Sequence, residues 1–169
     1  PVDLMKDLIS ISINETETIL DFFSGSCSTA HAVMELNKED GGNRKFICVQ
    51  LPEQTPKESE AYKAGYKTIA EIGKERIRRV INKLKTEDEG KLKFEEKKID
   101  LGFKVFKLDS SNILKWDPET KDLEKSLFES SSNIKMDRTE YDVIFEILLK
   151  YGLPLTVNME VLQFENTNI

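Results

Sequence analysis

The sequence predicts an α/β fold, with a parallel-leaning sheet flanked by helices. Three observations predict it. Two short apolar runs, residues 18–23 (T-I-L-D-F-F) and 45–51 (K-F-I-C-V-Q-L), have the length and β-branched or aromatic content of buried strands. Between them lies a helical pattern in which Ala30, Val33 and Met34 share one face. Further on, Ile69, Ile72, Ile77, Val80, Ile81 and Leu84 form a longer helical stripe.

In chain order, Ser24-Gly25-Ser26 breaks the first strand. The first helix begins at about Thr29 and dissolves between Asn37 and Gly42; Pro52 ends the second strand. The order strand, turn, helix, strand is most naturally a parallel pair joined by a right-handed crossover. Residues 52–61 read as polar loop, and residues 86–90 (T-E-D-E-G) end the long helix. The alternation in residues 102–109 (G-F-K-V-F-K-L-D) predicts a third strand. From Trp116 to Ser132 the pattern is weak. Asp137-Arg138-Thr139-Glu140 resembles a capping box with Asp137 as the cap. Tyr141, Ile144, Phe145, Leu148 and Leu149 then form a helical stripe that Gly152 and Pro154 stop. The tail from Leu155 is ambiguous and looks cut off.

Composition narrows the function classes. The chain has 169 residues, enough for one domain with a real core. Lys and Arg number 25 against 31 Asp and Glu, a net charge of -6, which excludes a wholly basic nucleic-acid binder. A basic helix face carrying Lys74, Arg76, Arg78, Arg79, Lys83 and Lys85 reads as a solvated face beside an acidic linker; contact with DNA phosphates is the other reading. No apolar run is long enough for a membrane span, and no signal peptide is expected. Cys27, Cys48 and His31 together do not make a common structural zinc site, and two unpaired thiols suit a reducing cytosol. Cys48 reads as a core residue and His31 as a helix-surface or packing residue.

The turn from Asp21 to Ala30, D-F-F-S-G-S-C-S-T-A, carries the chemistry. Small residues let a ligand approach the backbone. The first turn of a helix offers N–H groups to an anion, and an acid at a strand's end can hold an ammonium. Together these suit a zwitterionic amino-acid moiety better than a pyrophosphate. No Gly-Lys-Ser/Thr of a phosphate loop occurs, and the dinucleotide fingerprint lacks its middle glycine at Cys27.

This turn resembles the D-x-F-x-G-S-G-T-T-A motif of S-adenosylmethionine-dependent DNA amino-methyltransferases, nearest to the modification subunit of bacterial type III restriction–modification systems. The resemblance continues through N-K-E-D-G-G-N-R-K-F, Q-L-P-E and I-A-E-I-G-K-E-R-I, and more faintly through G-F-K-V-F-K-L-D-S-S-N and D-R-T-E-Y-D-V-I-F-E-I-L-L-K-Y-G. It implies a partial Rossmann-like methyltransferase fold. Residues 1–110 would be the cofactor-binding half, and residues 111–169 a largely helical extension truncated at its end. It also implies methyl transfer from S-adenosylmethionine to N6 of a flipped-out adenine. The parent enzyme would be a bacterial cytoplasmic protein that acts on double-stranded DNA with a restriction subunit and a second modification subunit, without a membrane.

Residue by residue, the resemblance implies that Asp21 and the Phe23-Ser24-Gly25 turn hold the methionine end of the cofactor, with Phe22 among the cofactor-binding residues. Ser26, Ser28 and Thr29 would line the same turn. Gln50 aligns with the acid that usually holds the ribose hydroxyls, and Glu53 just beyond could substitute. No catalytic residue is assigned, because Asp-Pro-Pro-Tyr is missing and Asp117-Pro118-Glu119 does not replace it. Such a chain would not methylate alone. Cys27 stands where the family has glycine; if the backbone there takes a positive φ, the side chain costs about 1 kcal/mol or more and weakens the cofactor site. The alternative is a non-catalytic, decayed or split module that docks to a partner subunit, and an NAD-binding domain is a third, weaker reading.

Overall fold

The computed structural model describes residues 2–89, 100–114, 133–164 and 167–168. Its contacts divide the chain into two units, Pro1–Gly102 and Phe103–Ile169.

The first unit is built around the expected strand–helix–strand. Strand β1 (Thr18–Asp21) pairs in parallel with β2 (Lys45–Cys48), with Thr18 opposite Lys45 and Asp21 opposite Cys48. Helix α2 (Ser28–Asp40) connects them. A mixed helix–strand unit with a two-stranded parallel pair is compatible with part of a methyltransferase fold. Both strands are shorter than the apolar runs suggest. β1 stops at Asp21 because its carboxylate accepts from Phe23 N at 3.2 Å, bending the chain away.

The crossover is fixed by one buried side chain. Asn37 donates to Arg44 O at 2.9 Å and accepts from Arg44 N at 3.0 Å, stitching the end of α2 to the approach to β2. The Arg44 guanidinium reaches back to Asp40 at 2.8 Å. α2 ends at Gly41, whose N–H caps Asn37 O.

A helix absent from the sequence reading, α1 (Val2–Ser12), covers the pair with α2. Ile9, Ala32, Val33 and Leu36 form the buried cluster, and Val2, Met5, Ile13, Ile19 and Phe46 pack on it. Ile19 and Phe46 are register partners and so point to this same side. Leu20 and Ile47, also register partners, point the opposite way and are 59% and 53% exposed. Parallel sheets ordinarily bury both faces; here one is covered and one is bare.

The polar stretch after β2 carries a short helix, α3 (Glu60–Lys63), capped by Ser59. α4 (Ile69–Glu89) follows, with Gly73, Ile77, Val80 and Leu84 buried at helical spacing. Its other side exposes Arg78, Arg79, Lys83 and Lys85. Arg79 pairs with Glu75 at 2.8 Å, and Lys83 with Glu35 of α2 at 2.9 Å. Among the described residues, no helix is long and apolar enough to cross a membrane.

In the second unit, helix α5 (Glu140–Lys150) forms where the apolar stripe predicts it, but its cap differs. The cap is Thr139, whose hydroxyl accepts from Asp142 N while the Asp142 carboxylate accepts from Thr139 N at 2.8 Å. Asp137 is not the cap; its neighbour Arg138 is turned to Asp109 at 2.8 Å. Residues 102–109 form no strand. Phe106 packs edge-on against Phe145 at 4.8 Å, and Lys104 reaches Leu155 O at 2.8 Å over the same ring. The aromatic alternation is used to pack on a helix rather than to pair with a strand. β3 (Gln163–Phe164) and β4 (Thr167–Asn168) make a two-residue antiparallel ladder. The expectations for Trp116, Asp117-Pro118 and residues 130–132 lie outside the described residues.

Candidate functional site

The site is the turn between β1 and α2, at the carboxyl ends of the parallel strands, where open α/β sheets take their ligands. Asp21 closes β1 and organises the turn beyond it. Its Oδ1 accepts from Phe23 N, and its Oδ2 accepts from Thr29 Oγ1 at 2.5 Å, tying the end of the strand to the first turn of α2. Ser24 ties the turn to β2: its N–H and its hydroxyl both donate to Val49 O, at 3.1 and 3.2 Å.

Two residues in the turn take left-handed backbone conformations. Gly25 has φ of 50°, and a Cβ built on it would meet nothing within 4 Å. Cys27 has φ of 58° and ψ of 44°, the one positive φ outside glycine among the described residues. The condition for strain at Cys27 is therefore met, at a cost of about 1–3 kcal/mol. Its side chain, however, is turned beneath α4. Sγ lies 3.7 Å from Ser24 Oγ, and a Cβ on Gly73 would stand 2.6 Å from it. Gly73 is thus what allows α4 to lie over the turn.

Cys27 precedes α2 and gives it no side-chain cap. Ser28, Thr29 and Ala30 open the helix, and its backbone bonds start with His31 N donating to Cys27 O at 3.2 Å. The helix dipole adds partial positive charge at this end. Phe22 and Phe23 stand outside the turn, 63% and 81% exposed, with ring centroids 5.1 Å apart.

The structure brings Asp21, Ser24, Gly25, Ser26, Ser28, Thr29 and Gln50 into one neighbourhood. Gln50 arrives through a bond that sequence spacing does not show: its Oε1 accepts from Gly25 N at 2.7 Å, while its Nε2 donates to Leu51 O. Glu53 is exposed, and its backbone carbonyl accepts from Ile69 N at 2.9 Å, which anchors the start of α4. His31 pairs with Glu35 at 3.0 Å on the side of α2. Cys48 is half-buried rather than enclosed, and it meets Cys27. Their thiol–thiol hydrogen bond lowers the Cys27 thiol to about 6, with help from Ser24 and against burial; the same bond and burial push Cys48 up.

Comparison with a family model falls on this region. Residues 1–60 match the family model described as DNA methylase, so the match includes β1, the turn, α2 and β2. The chain is 43% identical over 107 residues to the Mod subunit of the type III restriction-modification enzyme StyLTI from Salmonella typhimurium. This chain is similar to type III Mod subunits. It is also 38% identical over 107 residues to the EcoP15I Mod subunit of Escherichia coli, and 38% identical over 71 residues to the type II methyltransferase M.KpnI of Klebsiella pneumoniae. These alignments cover 63, 63 and 42% of this chain but only 16, 14 and 17% of those proteins, so the chain spans a small part of the Mod subunits' length. A DNA methylase requires a methyl donor, and the turn lies within the matched residues.

Proposed function

We propose that this chain supplies the S-adenosylmethionine-binding part of a type III modification subunit that methylates N6 of adenine in double-stranded DNA. The observation that carries the reading is the build of the β1–α2 turn: an acid at the strand's end, two left-handed residues, and a helix start without a side-chain cap. The cofactor's methionine end carries an ammonium and a carboxylate. The Asp21 carboxylate suits the first and the first-turn N–H groups of α2 suit the second. Gln50, whose Oε1 accepts from Gly25 N just past the end of β2, is the residue that would meet the ribose hydroxyls in this reading.

In this reading β1–α2–β2 is a piece of a Rossmann-like sheet, and the bare Leu20–Ile47 face is the one that the remaining layers of such a fold would cover. Double-stranded DNA, a restriction subunit and a second modification subunit are the partners of the whole bacterial cytoplasmic enzyme. The chain has no Asp-Pro-Pro-Tyr to hold the target amino group. Its role is to hold the donor. The bare apolar face also supports a second reading, a non-catalytic module that docks to a partner subunit.

A melting experiment separates the two. S-adenosylmethionine or S-adenosylhomocysteine raises the melting temperature of the chain and NAD leaves it unchanged, while labelled methyl groups are not transferred to DNA. A melting curve indifferent to both sulfur compounds sinks the donor-site reading and leaves the docking module.

A further inference from the structure

The two cysteines meet on the inner side of the turn. Cys27 is 7% exposed at the head of α2, and Cys48 is the last residue of β2. Backbone geometry sets their approach. Cys48 is the register partner of Asp21, Ser24 is bonded twice to Val49 O, and Cys27 N donates to Ser24 O at 2.7 Å. Cys27 is therefore one tight turn away from the residue after Cys48. Gly73 of α4 closes the opposite side, so the Cys27 thiol is held between α4 and the end of β2.

We propose that Cys27 and Cys48 are a redox-sensitive pair that a peroxide closes into an intramolecular disulfide, tying the β1–α2 turn to the end of β2. The chemistry balances in two steps. The Cys27 thiolate attacks one peroxide oxygen; an S–O bond forms, the O–O bond breaks, and hydroxide leaves and takes up a proton as water. Cys48 then attacks the sulfur of the Cys27 sulfenic acid; the S–S bond forms, the S–O bond breaks, and the Cys48 proton leaves with the second water. The two sulfurs give up two electrons, and the peroxide is reduced to two waters.

The roles come from the environment. The hydrogen bonds that lower the Cys27 thiol make it the thiolate and the first to react. Cys48 is held up by its hydrogen bond with Cys27, then by burial and by the neighbouring charge; the bond to the thiolate and the charge disappear once Cys27 is a neutral sulfenic acid. Cys48 is thereby the resolving thiol. The disulfide would draw Cys27 off Ser24 and move the start of α2, so the oxidised chain loses affinity for S-adenosylhomocysteine. Only this last consequence rests on the function proposed above.

The whole chain is reduced, desalted and treated with hydrogen peroxide, then measured by intact mass and by peptide mapping without reductant. The expected product is a monomer lighter by two hydrogens, with one cross-linked peptide pair holding Cys27 and Cys48, restored by dithiothreitol. In Cys48→Ser the cross-link is absent and dimedone labels Cys27. Two free thiols after treatment, or cross-links only between chains, overturn the pair; dimedone on Cys48 in Cys27→Ser but never on Cys27 in Cys48→Ser overturns the roles. Both forms are then titrated with S-adenosylhomocysteine. If the cross-link forms but the reduced chain binds nothing, the ligand reading fails and the thiol pair stands. If both forms bind equally, the coupling to the site is wrong.

Discussion

Two helix starts in this chain are built in opposite ways. α5 begins with a complete capping box, with Thr139 and Asp142 satisfying each other's backbone N–H groups and their side chains joined at 2.7 Å. α2 begins behind Cys27, a residue in a left-handed conformation that caps nothing. A cap contributes about 1 kcal/mol, and the φ of Cys27 costs about as much or more, so the start of α2 is the dearer of the two. α5 uses its first turn to secure the helix. α2 has no side-chain cap; its Ala30 N–H turns to the Cys48 thiol, and the acid at the end of β1 stands beside this start. A local rule kept at one start and broken at the other singles out the β1–α2 turn as the place where the chain carries backbone strain.

Gly73→Ala is expected to give the largest change in stability. Its Cβ would lie 2.6 Å from Cys27 Sγ and 3.3 Å from Gly25 O, so α4 or the turn must move. Overpacking of this kind costs about 1–3 kcal/mol in denaturant melts. Adding Cys27→Gly to this variant should recover part of the loss, because the clashing sulfur is gone; equal stability of the single and double variants would show that the contact with Gly25 O decides it.

Thr139→Ala should cost about 1 kcal/mol in the melting of residues 103–169 and leave any response to S-adenosylhomocysteine unchanged. A change in ligand response would mean that the two helix starts are not independent.

The sequence makes one side of this contrast easier to read than the other. β1, α2 and β2 are legible because Ile19, Phe46, Ala30, Val33 and Met34 follow strand and helix periods. α1 escapes because Leu4, Leu8 and Ile11 are exposed at 58%, 46% and 80%, which blurs the stripe of Val2, Met5, Ile9 and Ile13. Residues 102–109 mislead because alternating aromatics and lysines suit a packed irregular segment as well as a strand. In the site, Asp21 and the small residues are visible locally, and an acid three residues after Thr139 could have placed the α5 cap correctly. The Gln50–Gly25 bond and the Cys27–Cys48 pair are not legible, since both depend on how a left-handed turn folds back against β2.

Cys27→Gly alone should shift stability by no more than about 1 kcal/mol, because relief of the strained φ is offset by the entropy of glycine and the lost thiol packing. Its side chain is turned beneath α4, so ligand affinity should change little. A large gain in affinity would place the sulfur on the ligand side of the turn.

The smallest effect concerns acid and α5. Lys150, then Ser111 and Asn112 N, hold the Glu146 carboxyl down to about 2 from its ordinary 4.5. The stability it contributes is present above the ordinary value and is lost as the pH falls toward about 2. Glu146→Gln should therefore flatten the acid limb of a melting-against-pH curve for residues 103–169 and leave the neutral limb parallel to wild type.

The proposed donor site stands or falls on the uncapped start of α2 and on Asp21 beside it. Calorimetric titration of the chain with S-adenosylhomocysteine, in wild type and in Asp21→Asn, tests both at once. The wild type should bind, Asp21→Asn should lose roughly tenfold or more in affinity from the missing charge on the ammonium, and NAD should give no heat. Equal binding by the two proteins, or heat with NAD and none with the sulfur compound, would overturn the donor site.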